Sequence, residues 1–228
     1  MPKRSAQARP RAQLTPDMII EVAGRIAATS GADGLTVRRL GQDLGADPTA
    51  IYRHFRDKDE ILLEVADRLL QDIVGHLPDD LAWRARLEWL ARHTVATFLA
   101  HPPIGVAMAS RTPRRAGEFK AVDVILGALR EAGLCDEDAV IYYRTFADTI
   151  LSYAGMTASY AMLDESARHG YESAWSREYL MASPTQYPNI AAVAPLLAKV
   201  TEDAVLTTLI QLLVDGVERK AGIRPANK

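Results

Sequence analysis

A short stretch between positions 36 and 58 concentrates side chains that suit the grooves and backbone of a nucleic-acid duplex. Arg53 can donate two hydrogen bonds to a guanine edge, Thr49 can bond a base or a phosphate, and Ala50 can touch a thymine methyl. Tyr52 and Lys58 suit phosphate oxygens, contacts that position a protein without reading sequence. Thr36 stands at a predicted helix start, where unpaired backbone N–H groups also attract phosphate. Pro48 opens the exposed run that continues through Thr49 and Ala50. His54 closes it, either as a further duplex contact or as a group bonded inside its own domain. Catalytic signatures are missing: there is no glycine-rich phosphate loop, no nucleophile elbow and no HExxH run. His93 and His101 are not spaced four apart on their predicted helix, so neither a metal nor any other cofactor is expected.

These side chains need a scaffold, and helix caps supply it. Thr15-Pro16 reads as N-cap and first helical residue of a helix through Met18, Ile19, Val22, Ala23 and Ile26, ending at Ser30-Gly31. Thr36 caps a short helix from Val37 to Leu44, stopped by Gly45, which tolerates positive φ. Asp47-Pro48 repeats the start signal for a helix through Phe55. Ile51 and Phe55 pack inward together, leaving Pro48, Thr49, Ala50, Tyr52 and Arg53 outside. Asp57 and Glu60 form a capping box for a helix carrying Ile61, Leu62, Val65, Leu69 and Ile73. Together these make a helix-turn-helix, whose second helix enters the major groove of DNA.

Net charge is −2 over 228 residues, less basic than many DNA-binding proteins. The positive charge is local: Lys3, Arg4, Arg9 and Arg11 precede the first helix, and Arg38, Arg39, Arg53, Arg56 and Lys58 lie in the motif. The early arm suits either an adjacent minor groove or solvent. A single cysteine, Cys135, excludes an intrachain disulfide and fits a reducing cytoplasm. The longest uncharged stretch, Leu180–Ala198, holds three prolines and is not a membrane span.

The stretch from Leu14 to Leu70 resembles the DNA-binding domain of the tetracycline-repressor (TetR) family. The matching pieces are Gly34-Leu-Thr-Val-Arg-Arg-Leu40, Leu44-Gly45, Ile51-Tyr-Arg-His-Phe55 and Lys58-Asp-Glu-Ile-Leu62. The resemblance implies that Arg38 contacts a base and that Thr36, Tyr52 and Lys58 contact phosphate. Trp83-Arg84, Leu99–Pro102, Leu129–Leu134 and Leu213–Val217 resemble the C-terminal domain of the same repressors. That implies a helical ligand-binding core and a homodimer built from the long helix near 136–163 and the last helix. Met108 then falls where tetracycline repressors keep a metal-ligating histidine, and Leu90 and Thr94 replace a polar amide and an aromatic. A thioether is a poor ligand for a hard divalent ion, so magnesium–tetracycline binding is not expected.

The expected fold is all-α. A basic arm (1–13) precedes the helix-turn-helix domain (14–76), a ligand-binding and dimerisation domain (80–222) and a tail (223–228). In the second domain helices are expected from Leu81 to about His101, from Glu118 to Ala132, from an N-cap at Asp136 to about Leu163 and from Pro195 to Ala221. A short segment from Ile104 to Ser110 and a loop with partial helix over 164–188 lie between them. Thr94, Phe98, Met108, Phe119, Phe146, Thr149, Tyr153 and Met156 are candidates to line a mostly apolar pocket. The function these readings imply is a dimeric regulator that binds an inverted repeat in double-stranded operator DNA and responds to an unidentified small, mostly apolar effector. A helical ligand-binding or scaffolding dimer without a DNA role is the alternative.

Overall fold

The computed structural model describes residues 14–29 and 34–222. The basic arm, the helix end at Ser30-Gly31 and the tail lie outside these residues. Eleven helices and no strand occur among the described residues. α1 (Pro16–Thr29), α2 (Val37–Leu44) and α3 (Pro48–Ile51) form the N-terminal unit with the start of α4 (Lys58–Gly75). The caps work as their sequence implies. Thr36 accepts from the Arg39 N–H at 3.1 Å, Asp47 from Thr49 at 2.8 Å and Asp57 from Glu60 at 2.8 Å. The Glu60 carboxylate reaches back one residue further than in a standard capping box, to the Arg56 N–H at 2.7 Å. Gly45 has φ +61° and turns the chain between α2 and α3. Ile19, Ala23, Leu35, Leu40, Ile51 and Ile61 close the small core.

α3 is shorter than expected. Regular helix ends at Ile51, and residues 52–55 form a tightened turn in which the N–H groups of Arg53 and His54 bond the carbonyls three residues back. Ile51 and Phe55 are both buried, so the inward face of this turn is kept.

The second unit contains α5 (Trp83–Ala100), α6 (Pro102–Met108), α7 (Ala116–Glu131), α8 (Asp136–Ala161), α9 (Glu165–Ser176), α10 (Pro188–Leu197) and α11 (Glu202–Lys220). α8 packs against α5, α6 and α7, and α11 packs on α5. α4 spans both units, packing on α1 and on α5, α6 and α7. Three boundaries differ from expectation. Cys135, not Asp136, occupies the N-cap of α8, because Asp136, Glu137 and Asp138 fill the first turn where the helix dipole favours acids. The 164–188 segment holds a full helix, α9, capped by Asp164 accepting from the Ala167 N–H at 2.9 Å. The last helix is two: Pro195 lies inside α10, and Thr201 caps α11 by accepting from the Ala204 N–H at 3.2 Å.

Candidate functional site

The N-terminal unit presents one outward face. Thr36, Arg38, Pro48, Thr49, Tyr52, Arg53, His54 and Lys58 are exposed on it, and Ala50 is half-buried. Local pairing decides which of its cations stay free. Arg39 is tied to Asp43 at 3.2 Å and Arg56 to Asp57 at 3.2 Å. Arg38, Arg53 and Lys58 make no ion pair among the described residues. Asp47 is occupied by Thr49, whose hydroxyl donates to it at 2.6 Å and whose N–H donates at 2.8 Å. Those bonds hold the Asp47 carboxyl below the usual carboxylate range. The Thr49 hydroxyl is therefore spent as a donor, which leaves its oxygen as an acceptor on an exposed residue.

α4 carries this face to the second unit. The loop between α6 and α7 is clipped to it by ion pairs: Arg111 to Asp59 at 2.7 Å, and Arg115 to Glu64 and, at 3.8 Å, to Glu60. One turn further on, Asp67 is the buried charged side chain of the core, 3% exposed. It accepts from the Gly117 N–H at 3.1 Å, the Glu118 N–H at 2.9 Å and the Gln71 amide at 2.9 Å. A residue inside α4 thereby caps the N-terminus of α7.

A cavity of about 410 Å³ lies between α4, α5, α7 and α8. That volume falls in the range of small-molecule sites, roughly 300–1,000 Å³. α4 contributes Leu70, Ile73 and Val74, and α5 contributes Leu90 and Thr94. Met108 ends α6, Thr112 follows it, and α7 adds Glu118, Ala121, Val122 and Ile125. From α8 come Tyr143, Phe146, Ala147, Ile150 and Leu151, with Arg144 and Asp148 on its exposed side.

The structure brings Thr94, Met108 and Phe146 of the expected pocket set together on this wall. The other five lie elsewhere. Phe98 is wholly buried in the core, and Phe119 and Met156 are exposed at 63% and 58%. Thr149 turns its hydroxyl back to the Thr145 carbonyl at 2.6 Å. Tyr153 clasps the start of α11, donating to the Glu202 carboxylate at 3.1 Å; burial and that carboxylate push its pKa up to about 12. Helical phase separates the groups. Positions 143, 147, 150 and 151 share the inner face of α8, whereas 149 and 156 lie on the opposite side. The same phase on α7 selects 118, 121, 122 and 125 and rejects 119. Tyr143, Glu118 and the α4 wall were missed in the sequence, though the stripe Tyr143–Ala147–Ile150 was a readable signal for part of it.

Comparison with known proteins bears on both units. Residues 19–65 match the bacterial regulatory proteins of the tetR family, and residues 77–221 match the tetracyclin repressor-like C-terminal domain. The chain is 29% identical over 216 residues to the class A tetracycline repressor of transposon 1721 from Escherichia coli, covering 91% of this chain and 92% of that one. It is 33% identical over 134 residues to the HTH-type transcriptional repressor DrrR1 of Streptomyces coeruleorubidus, covering 58% of this chain and 49% of that protein, about half its length. Among solved structures, ActR of Streptomyces coelicolor in complex with actinorhodin has the same fold: TM-score 0.79 at 23% identity, covering 92% of this chain and 100% of that chain. BioQ with its natural double-stranded DNA operator superposes with a TM-score of 0.61 at 25% identity, covering 91% of this chain and 99% of that one. With one match spanning well over half of its length and another on the helix-turn-helix, the chain belongs to the tetR family of bacterial regulatory proteins.

Proposed function

We propose that the chain is a homodimeric repressor that binds an inverted-repeat operator and releases it when a small, mostly apolar molecule enters the cavity. One observation carries this reading: α4 begins at the cationic helix-turn-helix face and, about three to four turns later, forms a wall of the cavity. A ligand that repositions α4 therefore acts on the DNA-binding face, provided it favours the non-operator conformation. Arg53 and Arg38 are the base readers in this reading, and Thr36, Tyr52 and Lys58 the phosphate contacts. Met108 brings a thioether to the cavity, so the effector is not held through a hard divalent ion as magnesium–tetracycline would be. Support for an operator complex comes from BioQ, a protein of the same fold solved on its double-stranded operator.

The test is to retain fragmented genomic DNA on the purified protein at physiological salt and sequence it. A single enriched inverted repeat supports the reading; no enrichment over random DNA by a folded dimer sinks it. Arg53→Ala is expected to cost about 1–3 kcal/mol in operator binding and to relax preference at one position of each half-site. Anisotropy titrations on single-base operator variants read both effects. An equal loss on all sequences would instead make Arg53 a phosphate contact.

The dimer is assigned to the outer faces of α8 and α11. Ile141 and Met156 on α8, and Val205 and Leu212 on α11, are exposed apolar side chains on helices joined by the Tyr153–Glu202 and Lys220–Asp138 contacts. Leu212→Glu places a charge on that face without touching the core, since Leu212 is 62% exposed. Sedimentation velocity is expected to show a dimer for the native chain and association weakened by at least about tenfold in the variant, with helicity unchanged. A variant that stays dimeric at the same concentration moves the interface elsewhere.

A further inference from the structure

We infer that the cavity selects an amphiphilic cation, a flat apolar body carrying a protonated amine that meets the Glu118 carboxylate. The inference rests on the effector reading above and names the chemistry of its ligand. Three charged residues line the cavity, and two cancel: Arg144 donates to Asp148 at 3.0 Å. Glu118 remains. Its one described acceptor bond comes from the Arg114 backbone N–H through Oε2, and it makes no ion pair among the described residues. The nearby guanidinium groups are otherwise directed. Arg111 and Arg115 face the acids of α4, and Arg114 is exposed and forms no ion pair with Glu118. Asp67 on α4, buried against the Gly117 and Glu118 N–H groups, adds negative charge behind it.

The surrounding wall is apolar, and a lone carboxylate against such a wall gains more from a cation than it would in water. An anion would meet repulsion with no free cation to offset it. Tyr143 stands beside the same carboxylate; burial and then Glu118 raise its pKa, so its hydroxyl stays protonated and its ring is available to a cation. The hydroxyls of Thr94, Thr112 and Tyr143 have no hydrogen-bond partner among the described residues. Thr145, Thr149 and Thr157 on α8 bond back to their own helix, whereas Thr94 on α5 makes no such bond among the described residues and is free to serve a ligand. Leu70, Ile73, Phe146 and Ile150 then supply the apolar seat for the ligand body.

The test titrates the full chain with three matched probes: 9-(aminomethyl)anthracene, 9-anthracenemethanol and 9-anthracenecarboxylate. The amine is expected to bind at least about tenfold tighter than the alcohol, the worth of one charge-assisted hydrogen bond, and the carboxylate most weakly. Glu118→Gln should bring the amine down to the affinity of the alcohol, which itself changes by less than about twofold. Met108→Trp and, separately, Val122→Trp fill the cavity and should abolish binding of both, each variant being checked by its thermal midpoint. An alcohol that binds as tightly as the amine, or an amine unaffected by Glu118→Gln, overturns the cation preference and leaves the cavity as a neutral-ligand site. Failure of all three probes to bind, up to their solubility, also overturns it. Amine binding that survives both tryptophan variants places the ligand elsewhere and overturns the effector reading itself.

Discussion

Asp67→Ala is expected to lower the free energy of unfolding by about 3 kcal/mol, a large share of what holds a domain of this kind together. The side chain is 3% exposed and accepts three hydrogen bonds, two of them from the first N–H groups of α7. Removing it leaves the buried Gly117 N–H and the part-buried Glu118 N–H without their acceptor, which costs more than the bonds were worth in water. Nothing is positioned to replace it. Gly117 exists as a glycine because the Asp67 backbone and carboxylate occupy the space a Cβ would need, so the α7 terminus cannot slide inward to find another acceptor. Urea unfolding of the full chain measures the change. Gln71→Ala removes only the outermost of the three bonds and should cost less than about 1 kcal/mol. Equal, small effects from both variants would show that water satisfies the α7 terminus and that Asp67 is not a structural cap. Should the large effect be seen, Asp67 is a strong joint between α4 and α7, and a ligand in the cavity between them bears on both.

The local signals were legible in the sequence because each is local physics. Thr36, Asp47 and Asp57 cap helices whatever surrounds them, and Gly45 permits its turn alone. The family resemblance of the two units was carried by such pieces and holds. What was not legible depends on packing. Asp67, between Ala66 and Arg68, looks like the solvated face of a helix until α7 is docked on it. α9 has few inward apolar residues; its cap, the Tyr160 hydroxyl bonding the Arg168 carbonyl at 3.2 Å and the Trp175–Tyr179 stack hold it, and none of these leaves a periodic trace. The cavity was half legible for the same reason. Large and polar side chains on α5 to α8 were identified by type, but only helical phase decides which of them meet, and α4 joins the wall from the other unit.

Gly41→Val is expected to remove operator binding by roughly a hundredfold while costing only about 1–3 kcal/mol of stability. A Cβ at Gly41 would stand 2.8 Å from the Ala46 carbonyl oxygen and 3.3 Å from Pro48 Cδ, the residue that opens α3. The pressure falls on the joint between α2 and α3, and the exposed Thr49, Tyr52 and Arg53 are carried by α3 and the turn that follows it. Base contacts fail when their geometry shifts, and a dimer loses them in both half-sites, so binding suffers more than folding. Anisotropy on the operator and thermal unfolding separate the two effects. Probe binding in the cavity should be unchanged, since none of its lining residues lies on α2 or α3. Gly45 supplies the contrast. Its φ is +61°, but no atom lies within 4 Å of a Cβ built there. The cost at Gly45 is conformational, so Gly45→Asn, which tolerates left-handed φ, should retain most operator affinity. If Gly41→Val and Gly45→Asn were equally harmful, the turn would be failing through its backbone alone, and close approach of α3 to α2 would not be what aims the binding face.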